Sequence, residues 1–427
     1  MGTKNPFKDQ SHSLTKKILP WALYALLPLA LLRLYFYPLP QFKALPGEAP
    51  QNKPNIITSS SSQEGESFNE IPCDYTNGKW VRDKAGPLYN GSSCGTIKDG
   101  QNCISHGRPD MGYLYWRWQP KQCKLPRFKP ATFFQLIKNK HLAFVGDSMA
   151  RNQLESLLCL LATASSPELV YHGDDNKFRR WYFPPYNVSV SIYWSPFLVK
   201  GIEKSNSGPN HNRLYLNSVD ERWASDMGQM DMIVLSVGHW FLHPAVYFEE
   251  DSVLGCHYCP GLNYTEIGFY SVLRKAIQTT LEAITEKRGN KAIHVIVTTF
   301  SPSHFEGDWD KAAACPKKKP FEEGEKLLEG MDAEIRSLEV EEVEAAKAKA
   351  TQFSGLRLET LDITKLSLMR PDGHPGPYMY PFPFANGVTE RVQNDCVHWC
   401  LPGPIDTWNE IMLEVMKRWE AQARRGG

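Results

Sequence analysis

Leu142-Ala143-Phe144-Val145-Gly146-Asp147-Ser148 is the stretch on which the reading of this 427-residue chain turns. Its apolar run has the length of a buried strand, and Gly146 permits a tight turn at its end. Met149-Ala150-Arg151-Asn152-Gln153-Leu154 then opens a helical pattern. Strand, turn and helix in that order aim the Ser148 hydroxyl at the carboxyl edge of a sheet, where helix N-terminal amides also point. The arrangement suits a hydroxyl nucleophile. It equally suits a helix cap, because Asp147 and Ser148 are both favoured N-cap types.

A second stretch, Asp395-Cys396-Val397-His398-Trp399-Cys400, tips the balance. A carboxylate three residues before an imidazole can hold its Nδ1–H in a turn while Nε2 faces outward, toward Ser148. Nucleophile, base and orienting acid together indicate acyl transfer. Cys396 and Cys400 would pin this loop if both are bridged. A zinc knuckle built from Cys-x-His-x-Cys is the rival reading; an oxidising compartment and the lack of a tight ligand set nearby count against it. His374, in Asp372-Gly373-His374-Pro375-Gly376, is another candidate base, although histidine in such a loop is more often a turn residue. Cys256-His257-Tyr258-Cys259 has redox-pair spacing, and a local bridge is the simpler reading.

The chain has a formal charge of +1, so nothing global favours nucleic acid or an acidic partner. Residues 18–37 are apolar apart from Arg33, about 20 residues and enough to span a bilayer with Arg33 snorkelling. Lys4, Lys8, Lys16 and Lys17 precede them, which places the N-terminus in the cytosol and the bulk of the chain in the lumen. A cleaved signal peptide is the alternative, but Pro38-Leu39-Pro40 follows where a small-x-small site would stand. Dispersed cysteines at Cys73, Cys94, Cys103, Cys123, Cys159, Cys315, Cys396 and Cys400, with Cys256 and Cys259, fit a lumenal, disulfide-forming setting. Asn90-Gly-Ser, Asn187-Val-Ser and Asn263-Tyr-Thr are sequons usable there.

The expected organisation is a cytosolic tail (1–17), a signal anchor (18–37), a Pro- and Ser-containing stem (38–70) and a lumenal catalytic domain (71–427). Residues 71–127 read as a loop-rich, cysteine-held cap. Short β-rich runs at Leu142–Val145, Met232–Val237, Ile293–Thr299 and Leu356–Leu361 alternate with helical patterns at Arg151–Thr163, Ile267–Lys287 and Phe321–Lys349. This alternation predicts a parallel sheet covered by helices on both faces, with the ligand outside the strands' carboxyl ends. The acidic segment from Glu322 to Glu344 reads as a solvated helix face.

Gly-Asp-Ser-x-x-Arg-Asn-Gln at 146–153, Gly238-His239-Trp240 and Asp395-Cys-Val-His398-Trp-Cys-Leu-Pro-Gly together resemble the plant trichome birefringence-like family of Golgi polysaccharide O-acetyltransferases. The resemblance runs over residues 71–425 and extends to Leu361-Asp362-Ile363-Thr364 and Asp372-Gly373-His374-Pro375, which weakens the case for His374 as base. It implies an α/β/α sandwich with a central parallel sheet, similar to GDSL/SGNH hydrolases, and a cysteine-rich minor lobe. It also implies Ser148 as the acetylated nucleophile, His398 as base, Asp395 as its orienter, and bridges Cys103–Cys400 and Cys315–Cys396. Many relatives offer an asparagine to the oxyanion hole where this chain has Leu235-Ser236-Val237-Gly238. Gly238 and Ser148 N–H, with Arg151 or Asn152, are then the expected donors, beside the motif residues Gly146 and Asp147.

The N-terminal Pro-Phe-Lys-Asp-Gln-Ser-His-Ser-Leu and Leu-Ser-Val-Gly-His-Trp-Phe-Leu-His-Pro are most similar to the xyloglucan-acetylating branch. The resemblance thus implies a xyloglucan acceptor, a Golgi membrane placement and an acetyl donor, acetyl-CoA or an intermediate carrier, with no bound cofactor or metal. An SGNH acetylesterase, action on xylan or mannan, and a non-catalytic wall-binding protein are the competing readings. Trp80, Trp116, Trp118, Trp181 and Trp194 are candidate sugar-stacking surfaces, or core packing.

Overall fold

Alternation along one strand sets the architecture. Within His141–Gly146, Leu142 and Phe144 pack into one hydrophobic core while Ala143 and Val145 pack into a second. A strand buried on both faces needs a covering layer on each side. The computed structural model describes residues 73–426 apart from 206, 251, 389 and 390. The expected tail (1–17), anchor (18–37) and stem (38–70) lie outside the described residues, among which no helix is long and apolar enough to cross a membrane.

The described strands are β1 (Gly78–Arg82), β2 (Trp116–Pro120), β3 (His141–Gly146), β4 (Glu168–His172), β5 (Phe178–Phe183), β6 (Val188–Trp194) and β7 (Val199–Ile202). They continue with β8 (Asn212–Val219), β9 (Met232–Ser236), β10 (Ala245–Glu249), β11 (Ser252–His257), β12 (Ile293–Thr298) and β13 (Leu356–Leu361). The helices are α1 (Pro130–Ile137), α2 (Ser148–Ala162), α3 (Glu221–Ala224), α4 (Tyr270–Lys287), α5 (Gly330–Ala350), α6 (Thr364–Leu368) and α7 (Asp406–Gly426).

The main sheet runs β13-β12-β9-β3-β6-β5-β4. The four strands expected from apolar runs, β3, β9, β12 and β13, are adjacent and parallel, as is β6. The sheet is not wholly parallel: β5 and β4 add an antiparallel edge. A smaller sheet, β11-β10-β8-β7, and the β1-β2 pair complete the strands. One core holds α2 residues Leu154, Leu157 and Leu161 with α7 residues Trp408, Met412 and Met416. The other takes Leu273 and Ile277 of α4 with Ile335 and Val343 of α5.

Two expectations change. The helix expected from Phe321 begins at Gly330, after an extended Glu329, because Gly330 adopts φ +58°, a left-handed value that breaks the helical run. Nor is its acidic run wholly solvated. Glu339 is buried and accepts the Phe300 N–H at 2.7 Å, and burial pushes its carboxyl well above its ordinary value. The cysteine-rich cap is fastened to the sheet domain by Cys94–Cys159 and Cys103–Cys400, and closed on itself by Cys73–Cys123.

Candidate active site

β3 ends at Gly146 with φ +156°, and a Cβ there would lie 1.9 Å from the Ser236 carbonyl oxygen of β9. Only glycine lets the two backbones approach this closely. Asp147 N–H donates to the same carbonyl at 3.1 Å, and an Asp147 oxygen caps α2 by accepting the Met149 N–H at 2.8 Å. The capping reading is therefore right for Asp147. It leaves Ser148, the first residue of α2, with a hydroxyl that makes no hydrogen bond among the described residues and a backbone N–H lacking an intrahelical partner. Asp147 is fully buried, which pushes its carboxyl up to about 6 against the Met149 N–H and the charges of His398 and Arg151.

The partner loop shows the expected pair. Asp395 Oδ2 lies 2.7 Å from His398 Nδ1, and its Oδ1 accepts the backbone N–H of His398 and Val397 at 2.9 and 3.0 Å. Burial works to raise the Asp395 carboxyl, but His398 and these hydrogen bonds hold it well below the usual range. With Nδ1 engaged, His398 Nε2 is buried and unpartnered, the state expected of an imidazole awaiting a proton. No hydrogen bond joins Ser148 to His398 here; such bonds often tighten only in the substrate complex.

Asn152 brings the two halves together. Its Oδ1 accepts the Trp399 N–H at 2.7 Å and its Nδ2 donates to the Trp399 carbonyl at 3.2 Å. The residue after His398 is thereby fastened one turn from Ser148. Asn152 thereby clamps the loop, using its Oδ1 and one of its two Nδ2 hydrogens. Gly238, with φ +154° and a Cβ position 2.5 Å from the Phe300 ring, is also restricted to glycine. Its N–H helps hold the Asp147 carboxyl down, and Ser148 N–H and Arg151 are further donors at the same corner. The Arg151 guanidinium lies 5.3 Å over the Trp194 ring and makes no hydrogen bond or ion pair among the described residues.

His374 is no base. It is buried, Nδ1 lies 2.7 Å from the His398 carbonyl, Nε2 lies 2.7 Å from His304 Nδ1, and its ring stacks on Trp399 at 4.2 Å. His304 Nε2 continues the chain to the Leu368 carbonyl at 2.8 Å. Arg108 donates to the carbonyls of His374 and Asp372 from the cap side. Nothing in the sequence marked Arg108 or His304, which lie far from the loop they support. Asn152 stood inside the quoted motif.

All ten cysteines are bridged, and the loop carries Cys315–Cys396 and Cys103–Cys400, the two pairs the resemblance implied. This removes the zinc knuckle, since both sulfurs are spent. Cys256 is bonded to Cys259; with Glu266 they form the one His/Cys/Asp/Glu group among the described residues close enough for a metal, and its sulfurs are joined to each other. Trp80, Trp118 and Trp181 are buried core residues, while Trp116 and Trp194 are half-buried. Asn90, Asn187 and Asn263 are exposed.

The sequence matches a known group. Residues 125–415 match PC-Esterase, the GDSL/SGNH-like acyl-esterase family found in Pmr5 and Cas1p, and residues 71–124 match the PMR5 N-terminal domain. The chain belongs to the PC-Esterase family. It is 70% identical to Xyloglucan O-acetyltransferase 1 of Populus trichocarpa, over 99% of both chains. It is 57% identical to Xyloglucan O-acetyltransferase 1 of Arabidopsis thaliana, over 95% of this chain and 97% of that one. Protein trichome birefringence-like 25 of Arabidopsis thaliana is 43% identical, over 87% of this chain and 82% of that protein. In this PC-Esterase chain the boundary between the two matched segments falls after the cysteine-rich cap, between Lys124 and Leu125.

Proposed function

We propose that this protein transfers acetyl groups to cell-wall polysaccharide hydroxyls, with galactosyl residues of xyloglucan as acceptor, through an acetyl ester on Ser148. The acceptor rests on the relatives' names; the chemistry rests on one observation, the Asp395–His398 pair clamped by Asn152 beside the first turn of α2. His398 Nε2 takes the Ser148 proton as Oγ attacks the donor carbonyl, and Asp395 stabilises the imidazolium. Ser148 N–H and Arg151 receive the oxyanion charge. The imidazolium then protonates the leaving group. In the second half-reaction the same Nε2 deprotonates a sugar hydroxyl, which attacks the acetyl carbonyl and frees Ser148. A Golgi membrane placement, with one N-terminal anchor and a lumenal catalytic domain, is part of the reading and draws on the apolar run at 18–37 and the ten bridged cysteines.

The test offers the full-length chain an acetyl donor with xyloglucan, xylan or mannan oligosaccharides and follows acetyl gain by mass spectrometry. Gain on xyloglucan, lost in Ser148→Ala, supports the reading. Gain on xylan or mannan alone would move the acceptor. Donor hydrolysis with no acceptor modified would make the enzyme an esterase.

A further inference from the structure

Three short contacts run from the catalytic loop to α6, and their hydrogens do not add up for two neutral rings. His374 Nδ1 lies 2.7 Å from the His398 carbonyl, and His304 Nε2 lies 2.8 Å from the Leu368 carbonyl. A carbonyl oxygen only accepts, so both of these nitrogens carry hydrogen. Between them His374 Nε2 and His304 Nδ1 stand 2.7 Å apart, where one must donate to the other. The chain therefore needs three hydrogens on four ring nitrogens. Two neutral imidazoles carry two. A neutral pair either sets two lone pairs against each other or leaves one carbonyl facing a bare nitrogen.

The surroundings act on the extra proton from several sides. Burial, the largest influence on both rings, opposes it. Lys326 opposes it at His304 and His398 opposes it at His374, while Asp372 favours it at His304 and Asp395 at His374. The two rings also repel each other's charge, so the pair takes one proton and not two. Asp372 is itself bound by Arg370, and Arg108 meets the Asp372 and His374 carbonyls. No lysine or arginine ion-pairs with Asp395 among the described residues, so while His398 is neutral that carboxylate lacks a paired cation. A hydrogen bond from a charged ring is roughly twice as strong as a neutral one, which offsets burial. His304 is half-buried, and its backbone N–H donates to the Cys396 carbonyl at 3.0 Å, so the ring joins the catalytic loop to solvent.

We propose that His374 and His304 hold one proton between them and position the His398 loop through it, closing the chain when the proton is bound and opening one link when it leaves. The proposal rests on the reading of His398 as the base. Both are positioning residues: the nitrogens of each ring are engaged within the protein, and the proton passes between the pair and solvent with no bond made to an acetyl group. Closure strengthens the pair's hold on the proton, so the brace is present at low pH and is lost as pH rises through the pair's own value. Burial puts that loss below the ordinary histidine value of 6.5, and for His304 toward about 4.

NMR of the full-length chain, with heavy nitrogen in its histidines, counts the pair's ring hydrogens directly. Three protonated nitrogens are expected at acid pH and two after the proton leaves, with His304→Gln identifying the signals. Two at every pH at which the chain is folded overturn the proposal, whatever the variant does. Glutamine can donate to His374 Nε2 and cannot titrate. The rate of Ser148 acetylation by the neutral ester 4-nitrophenyl acetate, taken as the ratio of parent to His304→Gln, should therefore fall about tenfold from about pH 4 to about pH 7, the worth of one link. Titration of His398 is common to both chains and drops out of the ratio. A ratio independent of pH is what a merely structural histidine gives, and it overturns the proposal. No acetylation of Ser148 by any ester overturns the transferase reading instead, and the hydrogen count still decides the pair.

Discussion

The two halves of the site are held in opposite ways. The Ser148 corner is local: β3, Gly146, Asp147 and α2 are consecutive, and one β9 carbonyl fixes the turn. The Asp395–His398 loop has no regular structure of its own. It is held by two disulfides, by Asn152, by His374 and by the pairing of Asp395 with Gly376. Their carboxylates differ too. Asp147 is pushed up by burial and serves as a cap, whereas Asp395 is held down by the imidazole it orients. Sequence proximity builds one half, and long-range contacts build the other. Apart from Ser148 itself, substitutions in the first should therefore register as stability, and in the second as rate.

Asp395→Asn breaks the comparison most sharply. It should keep the fold and lower kcat about 10³–10⁴-fold, since the amide no longer fixes the tautomer or stabilises the imidazolium. Steady-state kinetics beside a thermal melt checks both halves of that statement. Gly146→Ala should do the reverse and cost stability first. Its Cβ would collide with the Ser236 carbonyl, for a loss on the order of 3 kcal/mol by denaturant unfolding. Asn152→Ala falls between, removing two hydrogen bonds across the halves. It should cost about 1–3 kcal/mol in stability, with a fall in kcat about tenfold larger than Gln153→Ala produces.

The smallest effect is in pH. Folding raises Asp406 from 3.8 to about 6 and Glu410 from 4.5 to about 7, both chiefly by burial near the start of α7. A carboxyl raised on folding binds its proton more tightly in the native state. Its contribution is full below the unfolded value and is lost as pH rises through about 6 and 7. Asp395 is lowered, so its contribution is present above 3.8 and is lost as pH falls below it. The glutamine of Glu410→Gln takes no charge as pH rises, so the melting temperature of that variant relative to the parent should increase from pH 5 toward pH 8, a difference scanning calorimetry resolves.

The same contrast explains what the sequence disclosed. Four short runs read as strands because β3, β9 and β12 are buried on both faces and β13 at the sheet edge alternates buried Leu356 and Leu358 with half-buried Arg357 and Glu359; these form the contiguous half of the sheet. The antiparallel edge was hidden. Every residue of β4, Glu168–His172, is exposed, so no burial period marks it. α7 carried a readable stripe in Trp408, Ile411, Met412, Val415 and Trp419, at spacings of one to four, that went unused. Ser148, Asp395 and His398 were readable because each sits in a short local motif. Arg108 and His304 were not, because only folding brings them to the loop they support.

The account stands or falls on the acetyl-serine. Brief incubation of the full-length chain with donor and no acceptor, then acid quench and peptide mass spectrometry, should show one acetyl group on the peptide containing Ser148. It should discharge when xyloglucan oligosaccharide is added and be absent in Ser148→Ala. An unmodified Ser148 peptide during active turnover, or acetylation at a different residue that survives Ser148→Ala, would contradict the account.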